Sequence, residues 1–492
     1  MRVVGNIASD SEVVATADGA ITAGKPVVVN SNGTVAQVFE NVDSATLAVS
    51  GSYTFESATG SGALYTSICF DSVNNKIAIA YQDIGNSNKI TVAVGTVNTD
   101  GSITFGTPVL AYNASPAYFH IVYAGSGKIV IAYEDTSAGG GAAKVGTISG
   151  NSVSFGSQSS DFTGNGNTIQ GVYAAYDSNE DRVVLAYKDE TDGDDGVAVV
   201  GTVSGTSISF GSTEKFASSG VSATWDLHFD SSNNKIVIAY SDSGNSAYGT
   251  CKVGTVSDTS ISFGSAAVFE SADTRAIAIC FDSTNNKMII AYKDTGNSNY
   301  ATAVVGTVSG TSISYGTPAV FNSANTYEDH SIDHDSNAGK HVIVWALQSG
   351  LTNKYAIGTV SGTSLSYTTS ANLGDTSEML DIVFDSNVNK FAVAYDNDGS
   401  SNVGVARTIQ LAYNNTTNNL TSENFIGFAK NAVADGAVAT LHTANSISRN
   451  QSSLTAGQTY FVQMDGTLST SADSPSVTAG TAISATELIV KG

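Results

Sequence analysis

FDSSNNKIVIAYSDSGNSAYGTCKVGTVSDTSISFGSAAVF, from Phe229 to Phe269, is the stretch that decides the fold. It contains runs of β-branched and aromatic residues, separated by Asn, Gly and Ser residues that favour turns. The run Lys-Ile-Val-Ile-Ala-Tyr carries apolar or small side chains on both faces. That pattern is expected of a strand in a sheet packed between two neighbouring sheets. The stretch therefore predicts one sheet of four short strands.

This unit recurs along the chain. The aromatic residue before its Asn-Asn turn returns at steps of 50 to 53 residues, with a histidine in its place once. The seven positions are Phe70, Tyr123, Tyr176, Phe229, Phe281, His334 and Phe384. A four-stranded unit with a period of about 50 residues is typical of propeller blades. The sequence therefore predicts an all-β fold, a seven-bladed β-propeller with four-stranded blades.

The closure of the ring is also predicted. Six units end in the outer-strand signature Ser-x-Ser/Thr-Phe/Tyr, at 102–105, 152–155, 207–210, 260–263, 312–315 and 364–367. The seventh unit lacks this signature, but Ser52-Tyr53-Thr54-Phe55 carries it ahead of the first unit. We therefore expect the N-terminal segment to supply the fourth strand of the last blade, which removes exposed sheet edges.

Two segments outside the repeats resemble each other. Ile21–Val35 (ITAGKPVVVNSNGTV) and Leu454–Leu468 (LTAGQTYFVQMDGTL) align without gaps, and each carries Asn-Gly or Asp-Gly after a strand-forming run. Those pairs are strong hairpin signals. We expect a small β-rich domain formed by residues 1–43 and 421–492. The propeller, residues 44–420, would be inserted into it, with residues 44–58 completing the last blade.

Charge and hydropathy exclude several classes of function. The net charge of −23 argues against nucleic-acid binding, which requires Lys and Arg, and against docking on anionic lipid. The N-terminal MRVVGNIASDSEVV has no apolar segment typical of a signal peptide, and no run approaches 18 apolar residues. We therefore expect synthesis in the cytoplasm without a signal peptide, and no insertion into a membrane.

A resemblance to a known family lies at the chain ends. Gly427–Gly492, with its LTAGQTYFVQMDGTL and terminal ELIVKG, resembles the C-terminal module of virion structural proteins and tail fibres of marine tailed bacteriophages. Gly19–Val35 resembles the opening segment of the same proteins. The resemblance implies attachment to a phage particle, a location on the virion surface, and a variable domain carried outward. It does not separate a head position from a tail position.

Catalytic signatures were sought because many propellers act on glycans. The chain has five arginines and lacks the Asp-box turns of sialidase-like propellers, and it has neither a Gly-x-Ser-x-Gly elbow nor a phosphate loop. A repeated Ala-Tyr-x-Asp places an aspartate after each of five second strands, at Asp83, Asp135, Asp189, Asp242 and Asp294. Repeated positions lie a blade apart, so we expect each carboxylate to accept backbone N–H bonds in its own turn. The sequence thus favours a protein that is not an enzyme.

Two polar clusters invite a metal hypothesis. The first is an acidic loop on the third unit, whose carboxylates are Asp189, Glu190, Asp192, Asp194 and Asp195. Carboxylates at alternating positions of a loop are suitable ligands for Ca²⁺. The glycines, however, do not lie at the position that an EF-hand loop requires, so a solvated acidic turn is favoured over a calcium site. No other cofactor is expected.

The second cluster contains His330, His334, His341 and Trp345 on the sixth unit. A zinc site would require the histidine side chains to converge on one ion. His330 and His334, however, are four residues apart on one strand, which separates them by about 13 Å. We expect polar variation in a diverged blade, with a contact surface as the alternative.

These observations give one first hypothesis and two rivals. The first is a non-enzymatic phage virion protein, a fibre, spike or capsid decoration that attaches to the host surface or stabilises the particle. Its expected partners are other virion proteins, further copies of this chain in a homo-oligomer, and a host glycan or surface protein. The rivals are a secreted or surface lectin or adhesin, and a glycan-degrading enzyme.

Overall fold

The structure is a computed structural model that describes residues 11–57, 62–164, 166–400 and 402–491. Residues 1–10 and 58, which fall within the sequence-predicted domains, lie outside this description. The fold is all-β with antiparallel sheets, and the described residues include no helix long and apolar enough to cross a membrane. Its short 3₁₀ turns are Ile84–Asn86, Ser243–Asn245, Thr295–Asn297 and Asp398–Ser400.

The chain divides into two compact units. Met1–Ala45 and Tyr413–Gly492 form one, called here the terminal domain, and Thr46–Ala412 forms the other, called the repeat domain. The sequence predicts these boundaries at 43 and 421. The C-terminal difference has a simple cause, because Tyr413–Asn418 pairs with Glu40–Ala45 and so belongs with the terminal domain.

The terminal domain contains two five-stranded sheets that share an apolar core. The first has the spatial order Glu12–Thr16, Val438–His442, Phe425–Ala429, Pro26–Val29 and Val35–Gln37. The second has the order Ile447–Ser448, Leu488–Val490, Val477–Ala482, Thr459–Val462 and Leu468–Ser469. Both hairpins predicted from Asn-Gly and Asp-Gly are confirmed, with Gly33 and Gly466 at φ 83° and 74° in the turns. Glycine adopts this left-handed conformation without a steric penalty.

The repeat domain contains seven successive sets of antiparallel strands, called here sheets 1 to 7. The first strands are Ala63–Asp71, Phe119–Tyr123, Ile169–Asp177, Val221–Asp230, Ala267–Asp282, Ala319–Asp335 and Leu380–Asp385. The second strands are Lys76–Asp83, Lys128–Glu134, Arg182–Asp189, Lys235–Asp242, Lys287–Asp294, Lys340–Leu347 and Lys390–Asn397. The third strands are Lys89–Val97, Gly141–Ser149, Asp195–Ser204, Tyr248–Ser257, Tyr300–Ser309, Thr352–Ser361 and Val403–Gln410.

Each third strand carries an outer edge made of one or two short segments. The fourth strands are Ile103–Phe105, Ser152–Phe155, Ser207–Phe210, Ser260–Phe263, Ser312–Tyr315, Ser364–Tyr367 and, in sheet 7, Ala48–Val49. A further edge segment follows in several sheets: Val109–Tyr112, Glu214–Ala217, the starts of Ala267–Asp282 and Ala319–Asp335, Ala371–Thr376, and Tyr53–Glu56. Because two first strands begin as edge segments of the preceding sheet, sheets 4 to 6 are hydrogen-bonded into one continuous sheet.

The N-terminal segment completes sheet 7, but in a different register from the one expected. Tyr53–Glu56 pairs with Gly404–Ala406 in the middle of the third strand. The other fourth strands pair with the end of the third strand, as Phe263 does with Gly254. Phe55 therefore corresponds to Phe216 of the further edge segment, and the expected match with the Ser-x-Ser-Phe signature is wrong. The short strand Ala48–Val49 takes the fourth-strand position.

Successive side chains of each second strand point to opposite faces of its sheet. The strand therefore presents apolar surface to both neighbouring sheets. In sheet 4, Ile236, Ile238 and Tyr240 pack against sheet 3, whereas Val237 and Ala239 pack against sheet 5. Seven apolar clusters lie between successive sheets in this way, and one of them joins sheet 7 to sheet 1. The first strands also contact one another in the same cyclic order. None of the sheets closes on itself within the described residues.

Candidate functional site

Residues of all seven first strands line one space between the sheets, called here the channel. Counting back from the recurring aromatic residue, the residues five, three and one positions earlier face the channel in most sheets. This follows from the period of two along a β-strand. In sheet 4 the third position back is Asp226, and in sheet 7 it is Asp381. In sheet 6 the fifth position back is Asp329.

The channel contains two adjoining cavities of about 310 and 280 Å³. They share His120, Asp226, Ser331 and Asp381 in their walls. Tyr65 lines the larger cavity and is 45% exposed, so this cavity reaches solvent at that side chain. A volume near 300 Å³ is at the lower end of the range of small-molecule sites.

The channel carboxylates connect neighbouring first strands, which do not form a backbone ladder with each other. Asp226 Oδ2 accepts from Ile279 N at 3.0 Å, and Asp381 Oδ2 accepts from Ile68 N at 2.8 Å. Asp329 Oδ2 accepts from Leu380 N at 2.9 Å. Each bond crosses from one sheet to the next, and the bond from Asp381 joins sheet 7 to sheet 1. These carboxylates therefore have a structural role whatever else they do.

Desolvation in the channel alters the ionisation of these groups. Burial, together with smaller effects of the Asp381 and Asp226 carboxylates, raises the pKa of Asp329 to about 8. Burial likewise raises the pKa of Asp226 to about 7 and that of Asp381 to about 6. The accepted N–H bonds oppose these shifts because they stabilise the charged form. No Lys or Arg lines the larger cavity, so no fixed cation offsets the three acids within the described residues.

His120 and His330, which line the larger cavity, are neutral near pH 7. Burial lowers the pKa of His120 to about 4 and that of His330 to about 3. They therefore supply no positive charge to the cavity at neutral pH.

Aromatic rings form the opposite part of the larger cavity. Tyr65, Tyr118 and Tyr173 come from sheets 1 to 3, and Trp225 comes from sheet 4. The ring of Tyr173 lies against Trp225 with centroids 5.8 Å apart, in an edge-to-face arrangement. Trp225 is 1% exposed, and its Nε1 has no hydrogen-bond partner. A buried N–H without a partner is uncommon, and this ring lies in the apolar cluster between sheets 3 and 4.

Gly171 makes room for the Trp225 ring. Its φ is +64°, and a Cβ built there would lie 2.6 Å from Trp225 Cζ2. We expect Gly171→Ala to displace the ring and to lower the free energy of unfolding by about 2–4 kcal/mol, combining backbone strain with overpacking. Urea denaturation measures the loss, and intrinsic fluorescence reports on the ring because the chain has only two tryptophans.

Gly205→Ala is the matched control for this prediction. Its φ is +60°, but nothing lies within 4 Å of the added Cβ. In the control, the free energy of unfolding should fall only by the cost of backbone strain, about 1 kcal/mol, and the fluorescence should be unchanged. Equal losses in the two variants would show that Gly171 has no role in seating Trp225.

No protein-family model matches the chain, and no curated protein matches it. Among solved structures, a mutant of AofleA from Arthrobotrys oligospora, with three arginines replaced by alanine, is similar with a TM-score of 0.44. It is 9% identical, and the alignment covers 71% of this chain and 94% of that chain. A likeness at this level carries no argument about function.

The acidic loop predicted as a calcium candidate lies on sheet 3, and two lysines offset part of its charge. Lys215 Nζ lies 2.6 Å from both Asp192 Oδ2 and Asp195 Oδ2. Lys188 Nζ lies 3.2 Å from Asp194 Oδ1. Glu190 is exposed, and Asp189 Oδ1 accepts from the backbone N–H of Thr191 and Asp192. No group of three or more metal-ligating side chains occurs among the residues described.

A cation at this loop would compete with Lys215. We expect Lys215→Gln to raise the Ca²⁺ affinity by about tenfold, because the removed ammonium group leaves two carboxylates without a counter-charge. Isothermal titration calorimetry with Ca²⁺ measures the change, with Lys235→Gln as a control of equal charge. Identical isotherms for wild type and both variants would exclude competition at this loop.

The three histidines of sheet 6 are separated by their partners. His330 Nε2 lies 3.2 Å from Thr326 Oγ1, and His334 Nε2 lies 3.3 Å from Asp282 Oδ1. His341 Nε2 lies 3.1 Å from Tyr367 OH. Each side chain is buried in a different contact, so they do not form one metal site. Trp345 is fully buried against Phe321, so the alternative of an exposed contact surface is wrong for this side chain.

The interpretation of the recurring Ala-Tyr-x-Asp is confirmed. Asp83 accepts from Asn86 N, Asp242 from Gly244 N, and Asp294 from Asn297 N. Asp135 and Asp189 also accept backbone N–H bonds within their own turns. These carboxylates cap their turns and do not converge.

Sequence reasoning missed Asp226, Asp329 and Asp381. For Asp226 and Asp381 a usable signal was present, because the third residue before the recurring aromatic is polar or titratable in six of the seven units, whereas Asp329 lies at the fifth position. The seven residues at the third position are Ser67, His120, Tyr173, Asp226, Ala278, Ser331 and Asp381. The residues around this position are similar from one unit to the next, whereas the residue at this position differs. Such variation indicates a functional surface and not a position that serves only packing.

Proposed function

We propose that this chain is a non-enzymatic surface protein of a phage particle, a fibre, spike or capsid decoration. The terminal domain anchors the chain in the particle, and the repeat domain is a seven-bladed β-propeller that contacts the host surface or neighbouring subunits. Copies of the chain and other virion proteins are its first partners.

The observation that carries this proposal is the construction of the terminal domain from both chain ends. Glu12–Thr16 pairs with Val438–His442, and Pro26–Val29 pairs with Phe425–Ala429. The chain therefore leaves one sheet, forms the whole repeat domain and returns to the same sheet. An insertion of this kind lets one module vary while the other keeps its contacts, which suits attachment followed by display.

The cyclic order of the repeat domain supports the propeller. Seven inter-sheet clusters, with the last between sheet 7 and sheet 1, are what a closed ring of blades requires. The bond from Asp381 to Ile68 N follows the same order. In sheet 7 the outer edge comes from the N-terminal segment, so the two ends of the ring are held together.

The test is to determine where the chain is located in a purified particle. Mass spectrometry of virions should detect the chain, and electron microscopy with an antibody against the terminal domain should label their surface. A variant that lacks residues 421–492 should be lost from particles, whereas a point variant in the repeat domain, such as Asp258→Asn, should remain. Absence of the intact chain from purified virions would refute the proposal.

A glycan-cleaving enzyme is the second candidate, and one observation favours it. Near pH 7, the cavity places a protonated Asp329 beside an ionised Asp381, because burial raises their pKa values to about 8 and about 6. Paired carboxylates with different protonation states are the usual acid and base of such enzymes. Release of reducing ends from host polysaccharide, abolished in Asp381→Asn, would favour this candidate over simple binding.

A further inference from the structure

The larger cavity has two chemically distinct parts. One is aromatic, with Tyr65, Tyr118 and Tyr173, and Trp225 adjoins it. The other is acidic, with Asp226, Asp329 and Asp381 from sheets 4, 6 and 7. Tyr173 lines the same cavity as all three acids, and their charges raise its pKa in addition to the effect of burial. The two parts therefore enclose one common space.

The acids lack a cationic partner inside this space. The nearest lysines are engaged elsewhere, since Lys188 Nζ bonds Gln170 Oε1 at 3.0 Å and lies 3.2 Å from Asp194 Oδ1, and Lys293 Nζ bonds Glu328 Oε1 at 2.6 Å. Carboxylates removed from water are costly unless a positive charge or several donors compensate them. Asp329 accepts the single bond from Leu380 N on Oδ2, which leaves Oδ1 able to accept another donor.

We infer that this cavity binds a small organic ammonium ion. The ammonium group would lie among the three carboxylates, and its alkyl substituents would lie against the tyrosine rings. Positive charge is attracted both by carboxylates and by the faces of aromatic rings.

Other ligand classes fit less well. A bare divalent metal needs several ligating side chains together, and the described part of the chain offers no such group. A neutral sugar could stack on the tyrosines, but it would gain no attraction from the ionised carboxylates. An anion would meet three acids and no cationic side chain.

The test compares choline with 3,3-dimethyl-1-butanol, which has the same shape without the charge. Isothermal titration calorimetry on the full chain at about pH 8.5, where Asp329 is mostly ionised, should give one choline per chain. The neutral analogue should bind at least about tenfold more weakly. Choline affinity should also fall as the pH is lowered to about 6, because Asp329 and Asp226 must then lose protons on binding.

Variants locate the site. Asp329→Asn keeps the acceptor for Leu380 N and should weaken choline binding by about tenfold. Tyr118→Ala, at a half-buried position in the cavity wall, should weaken it by about threefold or more. Asp258→Asn removes the same charge from an exposed side chain and should have no effect.

Three results would overturn the inference. The first is equal binding of choline and its neutral analogue. The second is binding of N-acetylglucosamine without binding of choline, which would assign the cavity to a sugar. The third is choline binding that survives both Asp329→Asn and Tyr118→Ala. Because the assay uses the isolated chain, it is independent of whether the chain is found in virions.

Discussion

Phe55→Ala should lower the free energy of unfolding of the repeat domain by about 3–5 kcal/mol, the usual cost of deleting a buried phenylalanine ring. Phe55 is 5% exposed and belongs to the N-terminal strand of sheet 7. Its ring packs on Tyr81 and Phe105 of sheet 1, with centroids 5.1 and 5.9 Å apart. Chemical denaturation followed by far-UV circular dichroism measures the loss, which is a large share of a typical domain's stability.

The same arrangement recurs inside the repeats, which supplies a positive control. Phe216 packs on Tyr240 and Phe263 of the next sheet, and each ring lies against a glycine, Gly196 for Phe216 and Gly404 for Phe55. Phe216→Ala should therefore cost about as much as Phe55→Ala. Phe39→Ala, at a 46% exposed ring of the terminal domain, should cost little. A loss for Phe55→Ala as small as that for Phe39→Ala would mean that sheets 7 and 1 are not held together, and the proposed ring would fail.

The stability of the repeat domain should fall by about 3 kcal/mol between pH 6.5 and pH 9, at about 1.4 kcal/mol per pKa unit. Burial raises the pKa of Asp226 and of Asp396 to about 7, and that of Asp329 to about 8. A raised carboxyl pKa means that the folded state holds its proton more tightly than the unfolded state. The stabilisation is therefore complete below the unfolded pKa, near 4, and is lost as the pH rises through the folded values.

Buried histidines determine how the stability of the repeat domain changes with pH on the acidic side. Burial lowers the pKa of His120 to about 4, and those of His330 and His341 to about 3. These groups destabilise the folded state as the pH falls below about 6.5, where the unfolded chain takes up their protons. Over the same range the folded carboxyls hold protons that the unfolded chain lacks, which stabilises the folded state as the pH falls, so the two effects oppose each other. We expect a broad plateau of stability between about pH 4 and 6.5, and a decline only on the alkaline side.

Urea denaturation from pH 5 to pH 9 tests this profile. Asp329→Asn should remove about 2 kcal/mol of the alkaline decline, because it deletes the group with the highest folded pKa. Asp258→Asn, at a side chain that is 83% exposed, should leave the profile unchanged. A wild-type stability that rises from pH 6.5 to pH 9 would show that the channel carboxylates are solvated as in the unfolded chain.

Local rules predicted much of this protein. Asn75, Asn234, Asn286 and Asn389 adopt φ values of 53° or 54° in the turns where Asn-rich sequence predicted left-handed backbone. The two hairpins of the terminal domain followed from Asn32-Gly33 and Asp465-Gly466. Strand positions and turn aspartates are likewise set by residues near each other in the chain. Such features depend on interactions within a few residues, so sequence alone determines them.

Tertiary structure decided the rest. The signature at Ser52–Phe55 is compatible with either of two edge positions beside the third strand of sheet 7. Only its pairing with Gly404–Ala406, some 350 residues away, selects one of them. Asp226, Asp329 and Asp381 are far apart in sequence, and nothing near any one of them indicates the others. Their shared cavity and raised pKa values arise only when first strands from different sheets surround one space. Sequence thus determined the repeating sheet, whereas long-range packing determined the chemistry of the channel, because desolvation and charge repulsion depend on distances that no local pattern specifies.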